Sequence, residues 1–193
     1  MKIVELIMDD DDIYGVDAIS MVDVPAIGEN FVYLKEQQVQ FKEADKEKRI
    51  LLGAALTPDR PIYRKGEDGE EFYVFMSKET VRKAAERYLM KGLQGSSTLM
   101  HEEEVKGCVV VESWIKEGEH DKSMNFGMDL PNGTWCVAMK INNDVIWNEW
   151  VKEGKVKGFS IEAFFVDKMK VEKPEEKALR EIEQLAKSVS SAL

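Results

Sequence analysis

Five apolar runs of strand length, each closed by glycine, proline or charged residues, constrain this chain more than anything else in it. ILLGAAL (50–56), EFYVFM (71–76), GCVVVESWI (107–115), GTWCVAMKI (133–141) and GFSIEAFFV (158–166) are rich in β-branched and aromatic side chains, as strands are. STLMH (97–101) is a sixth candidate. Between the first two runs, TPDRPIYRKGEDGE carries two prolines and two glycines and must turn. Ser77 is placed to cap a helix over 78–91 in which Val81, Ala84, Ala85 and Tyr88 share a face and which Gly92 ends. A short helix is expected after Asp144, with Trp147, Trp150 and Val151 inward and Gly154 at its end. Pro174 suits the first position of a last helix over 174–193, striped by Ala178, Leu179, Ile182, Leu185, Ala186 and Val189. About six short strands with two or three helices read as α+β, with an antiparallel sheet able to close into a barrel.

The residues before this core read differently. Positions 1–40 are punctuated by Pro25 and Gly28 and read as irregular or extended, and KEADKEKR is a charged link. The DDDD run at 9–12 lacks the spaced ligands and glycine of a calcium loop and reads as a solvated loop. The expected organisation is an arm and link over 1–49, a barrel domain over 50–172 and a helix over 173–193.

A length of 193 residues fits one domain, and 44% apolar residues build a core without staples. Lys and Arg number 27 against 37 Asp and Glu, a net charge of −10, so a groove tracking a phosphate backbone would work against the molecule's own field. Nucleic acid is excluded as the expected ligand. Cys108 and Cys136 form no CxxC pair and fit a reducing compartment. The start, MKIVELIMDDDD, is too short and too charged for a signal peptide. No run approaches the roughly 20 apolar residues that span a bilayer, so neither a membrane nor export is expected.

Chemistry has few places to sit. His101 and His120 are the two candidates for an imidazole base. His120 lies in the polar stretch KEGEHDKS and reads as solvated. His101 closes the apolar TLM run and precedes EEE, which fits a base at the edge of a core and equally a strand-end histidine bonded to a carbonyl. Alternation places Ser160 and Glu162 on the strand face opposite Phe159, Ile161, Ala163 and Phe165. Gly158, two residues before Ser160, permits close approach of a substrate or another backbone. Ser160 is either a satisfied core hydroxyl or a nucleophile, and the second requires a base and oxyanion donors. Glu112, inside VVVESWI, would be costly to bury unpaired. It faces solvent, pairs with a lysine, or orients a histidine on a neighbouring strand, because 102–106 has hairpin length. Glu102, Glu103, Asp121 and Glu162 compete for that last role. The His and Cys spacing does not suit zinc, the cysteines read as buried and inert, and the glycines form no phosphate cradle. No metal or cofactor is expected. Trp114, Trp135, Trp147 and Trp150 read as core and pocket wall.

The segments VDAISMVDVPAIGENF, LLGAALTPDRPIYR, EFYVFMSKETVRKAAERYLMKG, LMHEEEVKGCVVVESWI, LPNGTWCVAMKI and GFSIEAFF, in this order, resemble the XkdF-type group of tailed-phage prohead (capsid maturation) serine proteases. The resemblance runs from about Val16 to Val166. It implies the herpesvirus-assemblin fold, a mostly antiparallel β-barrel surrounded by helices, here with an irregular N-terminal arm and a C-terminal amphipathic helix. It further implies His101 as base and Ser160 as nucleophile, with a carboxylate, taken as Glu112, as third member. The implied substrates are phage scaffold protein, major capsid protein and the protease itself, cut inside the assembling procapsid in the host cytoplasm. The stripe on Leu179, Ile182, Leu185 and Val189 would serve a homodimer or cover the barrel. A catalytically inactive assembly or scaffolding protein with the same fold is the competing expectation.

Overall fold

All the apolar runs become strands, and the segment read as an irregular arm supplies three more. The computed structural model describes residues 2–8, 14–23, 32–34, 48–65 and 69–167. In chain order they form β1 (Lys2–Ile7), β2 (Gly15–Val22), β3 (Val32–Leu34), β4 (Ile50–Leu56), β5 (Ile62–Lys65), β6 (Glu71–Met76), α1 (Lys78–Met90), β7 (Ser97–Leu99), β8 (Glu103–Glu104), β9 (Cys108–Ile115), β10 (Trp135–Ile141), β11 (Gly158–Phe164) and β12 (Val166–Asp167). The DDDD run, most of the charged link and the helix expected over 174–193 lie outside the described residues.

The strands make three four-stranded sheets in the orders β12-β1-β6-β5, β3-β4-β10-β9 and β11-β2-β7-β8. The second is antiparallel throughout. The first and third each hold one parallel pair, β1 with β6 and β2 with β7. Strands covered on both faces are continuously apolar, and strands with a wet face alternate. Accordingly β4 and β10, nearly all buried, are the inner strands of the second sheet, while β6 alternates between more and less buried positions.

Helix α1 forms where Ser77 caps it: the Ser77 hydroxyl accepts from the Thr80 N–H at 3.4 Å. Glu79 in its first turn and Arg87 in its last complement the helix dipole. Its apolar stripe, Val81, Ala84, Ala85 and Tyr88, is buried, and Tyr88 meets Trp135 edge-on with centroids 5.3 Å apart. The main core gathers Ile19, Met21, Leu51, Tyr88, Trp135, Trp147 and Phe159. A smaller cluster of Leu52, Ala54, Met128, Leu130 and Cys136 separates from it; on β4 its members alternate with Leu51 and Ala55 of the main core, so the two clusters cover opposite faces of the second sheet.

The expected α+β, helix-surrounded barrel is overturned: the molecule is mostly β, and none of the three sheets closes. Closure needs one continuous ladder around the ring. Among the described residues each sheet ends on edges, and the outer strands β3, β8 and β12 extend over only two or three residues. Helices do not surround it among the described residues either. Among the described residues α1 is the one long helix; the segment after Asp144 makes a π-helical turn over Ile146–Val151, and the remaining turns are short 3₁₀ pieces. No helix among the described residues is long and apolar enough to cross a membrane.

Candidate active site

The third sheet brings the candidates together. Ser160 on β11 lies directly opposite Ser20 on β2, and Ser20 lies opposite Thr98 on β7. Directly paired residues share a sheet face, as do alternate residues of one strand, so Ser160, Ser20, Thr98 and Glu162 occupy one face. β7 stops at Leu99 because Met100 and His101 both take left-handed backbone, with φ of 55° and 61°. For non-glycine residues this is a strained turn, and two bonds hold it. The Met100 N–H donates to the Met21 carbonyl at 3.0 Å, and the His101 N–H donates to the Ser20 hydroxyl oxygen at 3.0 Å.

The turn carries the imidazole back over that face, and His101 Nδ1 comes 3.2 Å from Glu162 Oε1. The Thr98 hydroxyl donates to the same carboxylate oxygen. The pair is open to solvent, with side chains 40% and 36% exposed, whereas Ser160 is buried to 8%. Ser160 and His101 share no hydrogen bond. Ser160 instead borders a cavity of about 280 Å³ between β11 and the first sheet.

The other candidates fall elsewhere. Glu112 sits on β9 opposite Ala138, half exposed and paired with Lys122. The hairpin after β7 is made with β8, Leu99 opposite Glu103, so β9 joins the second sheet and Glu112 is carried away from His101. Asp121 caps a 3₁₀ turn. Burial pushes its carboxyl up, but the Ser123 N–H at 2.9 Å, the Trp114 indole N–H at 3.1 Å and the Glu117 N–H at 3.3 Å outweigh this and hold it below the usual range. Glu102, Glu103 and His120 are exposed, and Gly158 is buried opposite Val22 at the start of β11. Burial pushes the Cys108 thiol up to about 11 and the Cys136 thiol up to about 12, which disarms both as nucleophiles. Trp135 and Trp147 are core, Trp114 and Trp150 pack on it, and none of the four lines the cavity at Ser160. Among the described residues no cluster of His, Cys, Asp and Glu could hold a metal.

Ser20 and Thr98 are not among the sequence candidates. The signal for Thr98 was its place two residues before Met100 on a strand that ends in His101. Ser20 carried no such signal, because only the β2–β11 register reveals that it faces Ser160.

With this geometry in view, comparison with known proteins gives a class: residues 38–169, more than half of the chain, match the model of a phage serine protease family. That family is the one described as "Putative phage serine protease XkdF", and the chain belongs to it. His101, Ser160, Glu162 and Glu112 fall within the matched residues, and Ser20 precedes them. No curated protein and no solved structure matches the chain.

Proposed function

We propose that the chain is a serine endopeptidase that cuts phage scaffold and capsid proteins, and itself, inside the assembling procapsid, with Ser160 as nucleophile, His101 as base and Glu162 as the carboxylate that orients it. The observation that carries this reading is the 3.2 Å contact of Glu162 with His101 Nδ1 on the face that holds Ser160. A carboxylate on Nδ1 keeps the ring proton there and leaves Nε2 as the lone pair. Nε2 takes the Ser160 proton as Oγ attacks the scissile carbonyl. The tetrahedral adduct collapses, the C–N bond breaks, and His101 returns the proton to the leaving amine. Water then enters by the same route in reverse, giving the free carboxylate and restoring Ser160. The imidazolium formed midway is stabilised by the Glu162 charge.

One observation favours a second reading, an inactive assembly protein of the same fold: Ser160 and His101 are not hydrogen-bonded. Catalytic bonds are often loose without substrate and tighten in the complex, so the endopeptidase reading stands first. The test is co-expression with the phage capsid and scaffold proteins, reading fragment masses for the parent, Ser160→Ala, His101→Ala, Glu162→Gln and Glu112→Gln. Cutting by the parent and by neither alanine variant is expected, with a loss of about 10⁴-fold in Glu162→Gln. A larger loss in Glu112→Gln than in Glu162→Gln returns the third role to Glu112. Procapsids that assemble uncut with the parent chain put the inactive reading first.

A further inference from the structure

The cavity beside Ser160 has a composition that a catalytic cleft does not require. Its far wall is one face of the first sheet, where the registers set Leu6 beside Met76 and Ile62 beside Val74. Its near wall is β11, through Ser160, Ile161 and Ala163, and Ala55 and Leu56 of β4 close it. Apart from Ser160, the lining has one polar side chain among the described residues, Arg64, which follows Ile62 on the same face and is exposed at the rim. A volume of about 280 Å³ is many times the roughly 30 Å³ a water occupies in the liquid, and, Arg64 at the rim apart, its described walls provide nothing to satisfy a buried charge. β11 is an edge strand of its sheet among the described residues.

Resting on the endopeptidase reading, we propose that this cavity is the specificity pocket, seating a large apolar side chain (leucine, methionine or phenylalanine) of the substrate next to the scissile bond, with Arg64 favouring a carboxylate-bearing neighbour. A carbonyl carbon at Ser160 Oγ leaves the adjacent substrate residue within one extended step, about 3.3 Å, of the residues that wall the cavity. The chain's net charge of −10 repels acidic peptides at long range, and a cation at the pocket rim opposes that repulsion where the substrate enters.

The test uses the full chain and synthetic peptides of constant flanks in which one residue beside the cut is varied, read by mass spectrometry. The parent is expected to prefer leucine, methionine or phenylalanine to alanine, lysine or aspartate. Ala163→Leu, which narrows the cavity from its partly exposed wall, lowers the leucine-to-alanine ratio in kcat/KM by tenfold or more, since one methylene in an apolar pocket shifts discrimination by about 10–200-fold. Ile62→Ala, which widens it, moves the preference toward phenylalanine and guards against a misfolded Ala163→Leu. Arg64→Glu reverses any preference for an acidic neighbour. Cutting that depends on Ser160 but keeps one profile in the parent, Ala163→Leu and Ile62→Ala overturns the pocket and leaves the endopeptidase reading intact. If the parent cuts neither these peptides nor co-assembled capsid and scaffold proteins, the endopeptidase reading fails and the pocket fails with it.

Discussion

Ser20 shows how one hydroxyl can set the position of another residue's chemistry. Its oxygen accepts the His101 N–H while its strand partner is Ser160, so it links the proposed base to the strand of the proposed nucleophile. Ser20→Ala removes the acceptor from a partly buried N–H in a turn that is already strained. The expected result is a loss of about 1 kcal/mol in stability and between about tenfold and 100-fold in rate, because small displacements of a base are amplified in turnover. Thermal melts and kinetics on the same capsid substrates check both, and an unchanged rate would show that the turn holds without Ser20. Glu162 was legible in the sequence because alternation alone put it on the Ser160 face. Ser20 was not, since pairing between positions 20 and 160 is non-local and the arm's short apolar pieces look irregular without their partners.

At the level of the element, the sequence spoke clearly where the signal was local. The Ser77 cap, the 3.6-residue stripe and Gly92 bounded α1 within a residue of its observed end. Sheet membership was not local: 102–106 has the length to pair β7 with β9, yet the chain uses it to form β8, and that choice decides which carboxylate meets His101. Helix α1 also carries a defect. Among the described residues the Tyr88 hydroxyl is buried without a hydrogen-bond partner, and burial holds its phenol proton far above the ordinary range. An unsatisfied buried hydroxyl costs about 1–3 kcal/mol. Tyr88→Phe keeps the ring against Trp135 and removes the orphan, so a stability gain of about 1 kcal/mol is expected in urea unfolding; a loss would mean that the hydroxyl has a role in the folded state. The turn after β7 runs the other way. Met100→Val places a β-branched residue at a φ of 55°, and a cost of about 1–2 kcal/mol is expected, measured by the same unfolding series.

Across the whole molecule, the two thiols sit in separate cores: Cys108 in the main cluster and Cys136 in the smaller one on the other face of the second sheet. Burial raises both from an ordinary value near 9, to about 11 and about 12 respectively. The unfolded chain releases these protons near pH 9, while the folded chain keeps them. The stability they contribute is therefore whole below pH 9 and is lost as pH rises from there through about 11 for Cys108 and about 12 for Cys136. The slope approaches about 1.4 kcal/mol per pH unit for each thiol. Urea midpoints should hold steady for these groups up to pH 9 and then fall, and Cys136→Ala should make the fall shallower. The same thiols test whether the sheets unfold together. β4 and β10 lend side chains to both clusters, so one cannot open without stripping the other's wall. Iodoacetamide at pH 8 should leave both cysteines unmodified in the folded protein and alkylate them at one urea midpoint. An earlier midpoint for Cys136 would show that the small cluster opens on its own, and the sheet that carries Ser160 and Glu162, whose Ile19, Met21 and Phe159 belong to the main core, would then keep its geometry after the small cluster has melted.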